Sequence, residues 1–178
     1  MALNTWTLDT SHSTVGFWVR HLMVTKVHGA FTKWSGTLAL DEDDVTRSQL
    51  DVRIDVASID TKEAQRDGHL RSPDFFDVEK YPEMIFKSTS VERASDGNLR
   101  VRGDLSLHGV TKSVTLDVED SGRAKHPMTG DLRAGFSART SILRSDFGLT
   151  WNAVLEAGGV AVSDKVEINL EIQAFRPA

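Results

Sequence analysis

The sequence predicts an all-β domain: an antiparallel meander of about eight strands. Apolar and polar residues alternate with period two in about eight separate stretches, the mark of strands buried on one face. One-sided burial implies antiparallel pairing, because parallel strands are apolar on both faces. Short turns such as Asp96-Gly97-Asn98 join neighbouring stretches tightly. Such a meander closes into a barrel with room for one small ligand. Two packed sheets around a solid core would show the same alternation.

The stretches follow one another along the chain. Val15, Phe17 and Val19 alternate with Gly16, Trp18 and Arg20. Phe31 to Leu40 reads FTKWSGTLAL, and Gly29 and Gly36 read as a bend or bulge at a barrel corner. Leu50, Val52, Ile54 and Val56 alternate with Asp51, Arg53 and Asp55. Ile85 to Val91 is a weaker strand. Leu99, Val101, Leu105 and Leu107 share a face, as do Val114, Leu116 and Val118. Leu107 to Lys112 joins those two. Leu132, Ala134, Phe136, Ala138 and Ile142 form the next face, and Val166, Ile168, Leu170 and Ile172 the last.

Two stretches break the pattern. Arg66 to Phe86 reads RDGHLRSPDFFDVEKYPEMIF. Asp60 or Thr61 can cap a short helix from Lys62 to about Leu70, which Pro73 stops. Leu70, Phe75 and Phe76 then need an apolar surface, and the barrel mouth is the nearest. Arg144 to Lys165 carries Phe147, Trp151 and the Gly158-Gly159 pair. It reads as a bulged strand or a second loop over the mouth.

Composition narrows the function. A chain of 178 residues suits one domain, residues 1–178, and can bury a core without staples. It has no cysteine, hence no disulfide, thiol chemistry or sulfur-bound zinc. Net charge is −5, with no basic run, which argues against nucleic acid or an anionic membrane surface as partner. No apolar run approaches the ~18 residues of a membrane helix. The start, MALNTWTLD, has no apolar signal region. The expected location is therefore cytoplasmic, or periplasmic if a signal has been removed.

Catalytic and metal patterns are weak. Six histidines (His12, His21, His28, His69, His108, His126) include no HExxH and no helical ligand pair. His12 and His108 sit at strand ends where they could approach. Asp9, Ser11, His12 and Ser13 are close in sequence, but neighbours on a strand point to opposite faces. There is no G-x-S-x-G elbow and no GxGxxG. Asp41 to Asp44 lacks the spacing of a calcium loop and reads as a solvated turn. What remains is a set of aromatics that either fill a core or line a pocket.

The residues WTLDTSHSTVGFWVRHL, GAFTKWSGTL, RDGHLRSPDFFDVEKYPEMIF, GDLSLHGVTKSVTL and RSDFG, in that order, resemble the YceI-like family across nearly the whole chain. The resemblance implies an elongated, lipocalin-like, eight-stranded antiparallel barrel with one short helix and covering loops. It implies a bound polyisoprenoid, a polyprenyl lipid or a quinone tail, and no catalytic reaction, metal or further cofactor. Phe17, Val19, Phe31, Ile54, Leu70, Phe75, Phe76, Phe86, Leu105, Phe136, Phe147 and Trp151 would then line the tunnel or its mouth. Arg20, His21, His69 and Arg144 would contact a head group. The partner is a long-chain isoprenoid lipid, held by a monomer or homodimer in carriage, storage or stress response. The chain departs from the family in lacking a signal peptide, and its loop from His126 to Gly130 is longer. A lipocalin-like hydrolase or isomerase using His12, His108 or a nearby carboxylate, and a ligand-free interaction module, are the rival readings.

Overall fold

The computed structural model describes residues 3–153 and 160–178. Among these residues the strand segments are β1 (Asn4–Leu8), β2 (Thr14–His21), β3 (Thr25–Phe31), β4 (Trp34–Leu40), β5 (Gln49–Asp55), β6 (Ile59–Asp60), β7 (Glu83–Arg93), β8 (Leu99–Leu107), β9 (Val110–Lys125), β10 (Leu132–Leu143) and β11 (Lys165–Arg176), with one α-helix, α1 (Ala64–Arg71). Neighbours pair in the order β1-β4-β5-β7-β8-β9-β10-β11, and β1 then bonds β11. The sheet is therefore a closed antiparallel barrel of eight staves, which leaves no open edge along the ring. The remaining segments extend three of the staves. β11 pairs with β1 near Ala174 and with β2 from Glu171 to Glu167. β2 pairs with β3, and β3 with β6. Thus β1 with β2, β3 with β4, and β5 with β6 are single staves, each bent once.

Each bend has a local cause. Between β1 and β2 the Asp9 carboxylate accepts the Ser11 N–H and caps a 3-10 turn over Thr10–His12. Between β5 and β6 Asp55 does the same for Val56–Ser58. Between β3 and β4 the N–H groups of Thr32 and Lys33 turn to Ser58. The bend thus falls at Thr32-Lys33, and the expectation that Gly29 and Gly36 would mark it is corrected. Both glycines keep regular register, Gly29 opposite Phe17 and Gly36 opposite Val52. They are small for another reason: a Cβ on Gly29 would lie 2.4 Å from Phe17 Cζ, and one on Gly36 would lie 2.8 Å from Leu8 Cδ1. Phe86 lies over Gly103 in the same way, 2.4 Å from where a Cβ would sit. These rings lie flat against the wall instead of standing into the lumen.

The turn between β8 and β9 is His108-Gly109, both with left-handed backbone at φ 55° and 75°, the geometry of a two-residue hairpin. The helix begins later than its sequence suggests. Lys62 has a left-handed φ of 67°, which keeps it outside the helix. Glu63 is the cap, accepting from Gln65 and Arg66, while Asp60 accepts from Lys62 in the preceding turn. The carboxylate of the buried Asp67 accepts the Thr61 N–H at 2.9 Å, tying α1 to the end of β6. Asp41 is also not solvated as expected. It is 1% exposed and accepts from the N–H groups of Asp43 and Asp44.

The two ends of the barrel differ. At one end Trp6, Leu40 and Ala174 are at most 2% exposed and form a floor. The long β9–β10 loop around His126–Gly130 is at this end, next to Leu132 and Lys125. At the other end lie α1, the β2–β3 turn, and the residues after β10.

Candidate functional site

The staves enclose a cavity of about 450 Å³ that opens at the α1 end. Its wall follows from alternation: Leu99, Val101, Leu105 and Leu107 of β8 point inward, as do Val114, Leu116 and Val118 of β9 and Ile168, Leu170 and Ile172 of β11. The interior is not a filled core, so the solid-sandwich alternative is excluded.

Of the sequence-predicted lining residues, Phe17, Val19, Phe31, Ile54, Leu70, Phe75, Phe76, Phe86, Leu105, Phe136 and Trp151 border this cavity. Phe147 does not. It ends a 3-10 turn over Arg144–Phe147, its ring is 2% exposed within the main apolar cluster, and its carbonyl accepts from His108 Nδ1 at 2.9 Å. That turn points the ring into packing rather than at the lumen. The Gly158-Gly159 pair lies outside the described residues.

The mouth is an aromatic and cationic rim. His69, Phe75 and Trp151 pack on one another with ring centroids 4.8–5.2 Å apart. His69 Nε2 is held by Asp74 at 2.9 Å. Arg20, His21, His69 and Arg144 all border the opening, but they are not equivalent. Arg144 is 5% exposed, and its guanidinium donates to the carbonyls of Ser163, Leu149, Trp151 and Val162. Burial pulls its pKa below the usual arginine value, partly opposed by Asp164. Its donors stitch the loops of the rim together, so it is a structural clamp rather than a free head-group contact. Thr61 and Arg66 were not foreseen. Arg66 donates through Nε and Nη2 to Thr61 and lines the mouth. Its spacing of three from His69 on α1 was the available signal, since i and i+3 share a helix face.

Charge is sorted by sign. The chain carries 26 Asp and Glu, yet among the described residues none borders the cavity; the ionisable lining groups are Arg20, His21, Arg66, His69 and Arg144. The site therefore admits an apolar chain below and a hydrogen-bond acceptor or anion at the rim, and disfavours a cation there. His12 bonds Asp9 at 2.8 Å, and His108 bonds Phe147. Neither borders the cavity, nor does a carboxylate among the described residues, so the groups on which the hydrolase or isomerase reading rested do not face the lumen. Among the described residues no group of three potential metal ligands occurs, and no helix among them is long and apolar enough to cross a membrane.

The chain is 40% identical over 146 residues to a UPF0312 protein of Vibrio parahaemolyticus, covering 81% of this chain and 77% of that one. A UPF0312 protein of Pseudomonas syringae pv. tomato is 40% identical over 138 residues, covering 78% and 71%. The Campylobacter jejuni YceI protein superposes with a TM-score of 0.74 at 33% identity, covering 89% and 90%. A polyisoprenoid binding domain from Saccharophagus degradans, at 18% identity and TM-score 0.69 over 98% and 99% of the two chains, shares the fold. The model of the YceI-like domain matches residues 6–174, and with it the eight-stave barrel and its apolar cavity place this chain in the YceI-like family.

Proposed function

We propose that this protein binds a long isoprenoid chain, a polyprenyl lipid or the tail of an isoprenoid quinone, and carries or stores it. The chain occupies the barrel and its polar head rests at the rim. The cavity carries this reading: it is walled by aliphatic and aromatic side chains and concentrates its ionisable groups at one mouth, while the buried Trp6 and Leu40 lie toward the opposite end. A five-carbon unit packed at interior density takes on the order of 100 Å³, so 450 Å³ suits on the order of twenty chain carbons. Burying them yields ~0.8 kcal/mol each, on the order of 16 kcal/mol gross, before ordering and association are subtracted. Tight binding then needs no ion pair. Membership of the YceI-like family supports binding rather than catalysis, and the fold shared with the Saccharophagus degradans domain supports the isoprenoid at the level of architecture.

The head is held by donors, the guanidinium groups of Arg66 and Arg20 foremost, which suits a quinone carbonyl, a hydroxyl or a phosphate. The test is organic extraction of protein purified from its own host, followed by mass spectrometry. A stoichiometric prenyl lipid is expected. Protein that yields no lipid and also takes up no prenyl quinone would sink the reading.

A further inference from the structure

The turn between β2 and β3 puts three apolar residues in solvent: Leu22, Met23 and Val24 are 44%, 63% and 73% exposed. Leu143, 45% exposed, stands at the same end of the barrel, where β10 finishes. The backbone makes the exposure more telling. Leu22 and Met23 both have left-handed φ, 51° and 61°, a conformation that L side chains of this bulk resist. The Val24 N–H closes the turn on the His21 carbonyl at 3.0 Å. Asn-Gly would make the same two-residue turn without strain, and His108-Gly109 turns β8 into β9 with a glycine in this same chain. Here folding alone favours neither the residue type nor its exposure.

The tip is fastened to the mouth. The Leu22 N–H donates to Ala161 at 2.8 Å, His21 bridges Val162, and the backbone of Arg20 exchanges bonds with Ser163. Ala161 and Val162 themselves border the cavity. Just behind the tip the half-buried Trp18 carries Lys26 Nζ 4.4 Å from its ring centroid and the Arg20 guanidinium at 5.7 Å. Apolar side chains ahead, then an indole and cations, is the order in which residues enter a bilayer surface.

We infer that the β2–β3 tip docks the cavity mouth onto a lipid bilayer, inserting Leu22, Met23 and Val24 among the acyl chains. This rests on the chain-binding reading, because a water-insoluble isoprenoid is exchanged most directly where its reservoir meets the opening. Apolar insertion, not surface charge, does the docking. The net charge of −5 gives no long-range attraction to an anionic surface, in keeping with the absence of a basic run.

The experiment uses the full chain and phosphatidylcholine vesicles containing a prenyl quinone. The variant Leu22→Asn/Met23→Gly supplies the turn with unstrained, polar residues, so its Tm should equal or exceed that of the wild type. Co-flotation with vesicles and the rate of quinone uptake from them should each fall about tenfold or more. Uptake of the same quinone from detergent solution should not change. Equal flotation and equal vesicle uptake for the two proteins would overturn the docking proposal while leaving chain binding intact. Failure of both proteins to take up quinone from detergent would instead overturn chain binding, and flotation still reports on the tip. If the variant alters only self-association in sedimentation velocity, the tip joins copies of this chain and the bilayer proposal is wrong.

Discussion

Replacing Gly29 by valine should narrow the cavity while leaving the barrel folded. Gly29 faces Phe17 across the β2–β3 pair, and any Cβ there would lie 2.4–3.0 Å from three atoms of the ring. The obstacle is a side chain with open cavity behind it, so the ring shifts inward. Three added carbons pass their volume to the lumen, and about three chain carbons lose their place. At ~0.8 kcal/mol each this removes about 2.4 kcal/mol of binding, roughly fiftyfold in Kd. Overpacking of the empty barrel costs about 1–3 kcal/mol, and the better strand former returns part of that. The assay is a titration with a prenyl quinone, read by quenching of the tryptophans that line the cavity, beside a denaturant midpoint. Gly68→Ala is the control: nothing lies within 4 Å of a Cβ there, so stability should hold or rise and Kd should not move. Adding Phe17→Ala to Gly29→Val should recover most of the affinity. Unchanged binding in Gly29→Val, or no recovery in the double variant, would refute the view that the ring lies flat to keep the lumen open.

Three further outcomes follow from the site and the frame. Phe76→Asp should weaken quinone uptake more than it lowers stability, because Phe76 is half-buried on the cavity wall, edge-on to Phe31 at 6.0 Å; unfolding without a selective binding loss in a titration would mark it as plain core. Arg144→Met should destabilise by about 3 kcal/mol, since four loop carbonyls lose a charged donor, and lower Tm by about 6–12 °C; Arg144→Lys should recover little, as an ammonium cannot fork across them, and a thermal melt of each decides. Asp9 is partly desolvated, which raises its pKa, but hydrogen bonds from Ser11, His12 and Arg133 outweigh this and hold it well below the ordinary 3.8. Its contribution is therefore complete above the unfolded value and is lost as pH falls through the folded one. Asp9→Asn should be the less stable protein at neutral pH, with the gap closing below about pH 4, and a gap that stays constant down to pH 2 would refute the assignment.

Much of the fold was legible because each stave buries one face. The pairs Val101 with Arg102 and Ile168 with Glu167 announce inward and outward sides without any knowledge of neighbours. The bends were not legible, since they depend on side-chain bonds such as Asp9 to Ser11 and Lys33 to Ser58 that form only after the staves pair. Gly29 was misread for the same reason: its partner Phe17 is a matter of register, not of local sequence. In the site, strand residues such as Ile54 and Leu105 fell where alternation put them. Phe147 did not, because a 3-10 turn has no period from which to read a direction. Arg144 looked like a free cation in an irregular stretch, and only the loop carbonyls converging on it reveal a clamp. Alternation alone left open whether the interior was hollow, because a filled core and a lined cavity require the same apolar faces.

The central claim is that chain length, held in the apolar cavity, sets affinity. A titration with linear prenols from about ten to about forty carbons tests it most directly. Kd should fall about tenfold or more with each added five-carbon unit while the cavity fills, then level off near about twenty carbons, the capacity on the order of which 450 Å³ allows. A Kd that does not change across the series, or that follows the head group alone, would contradict the account.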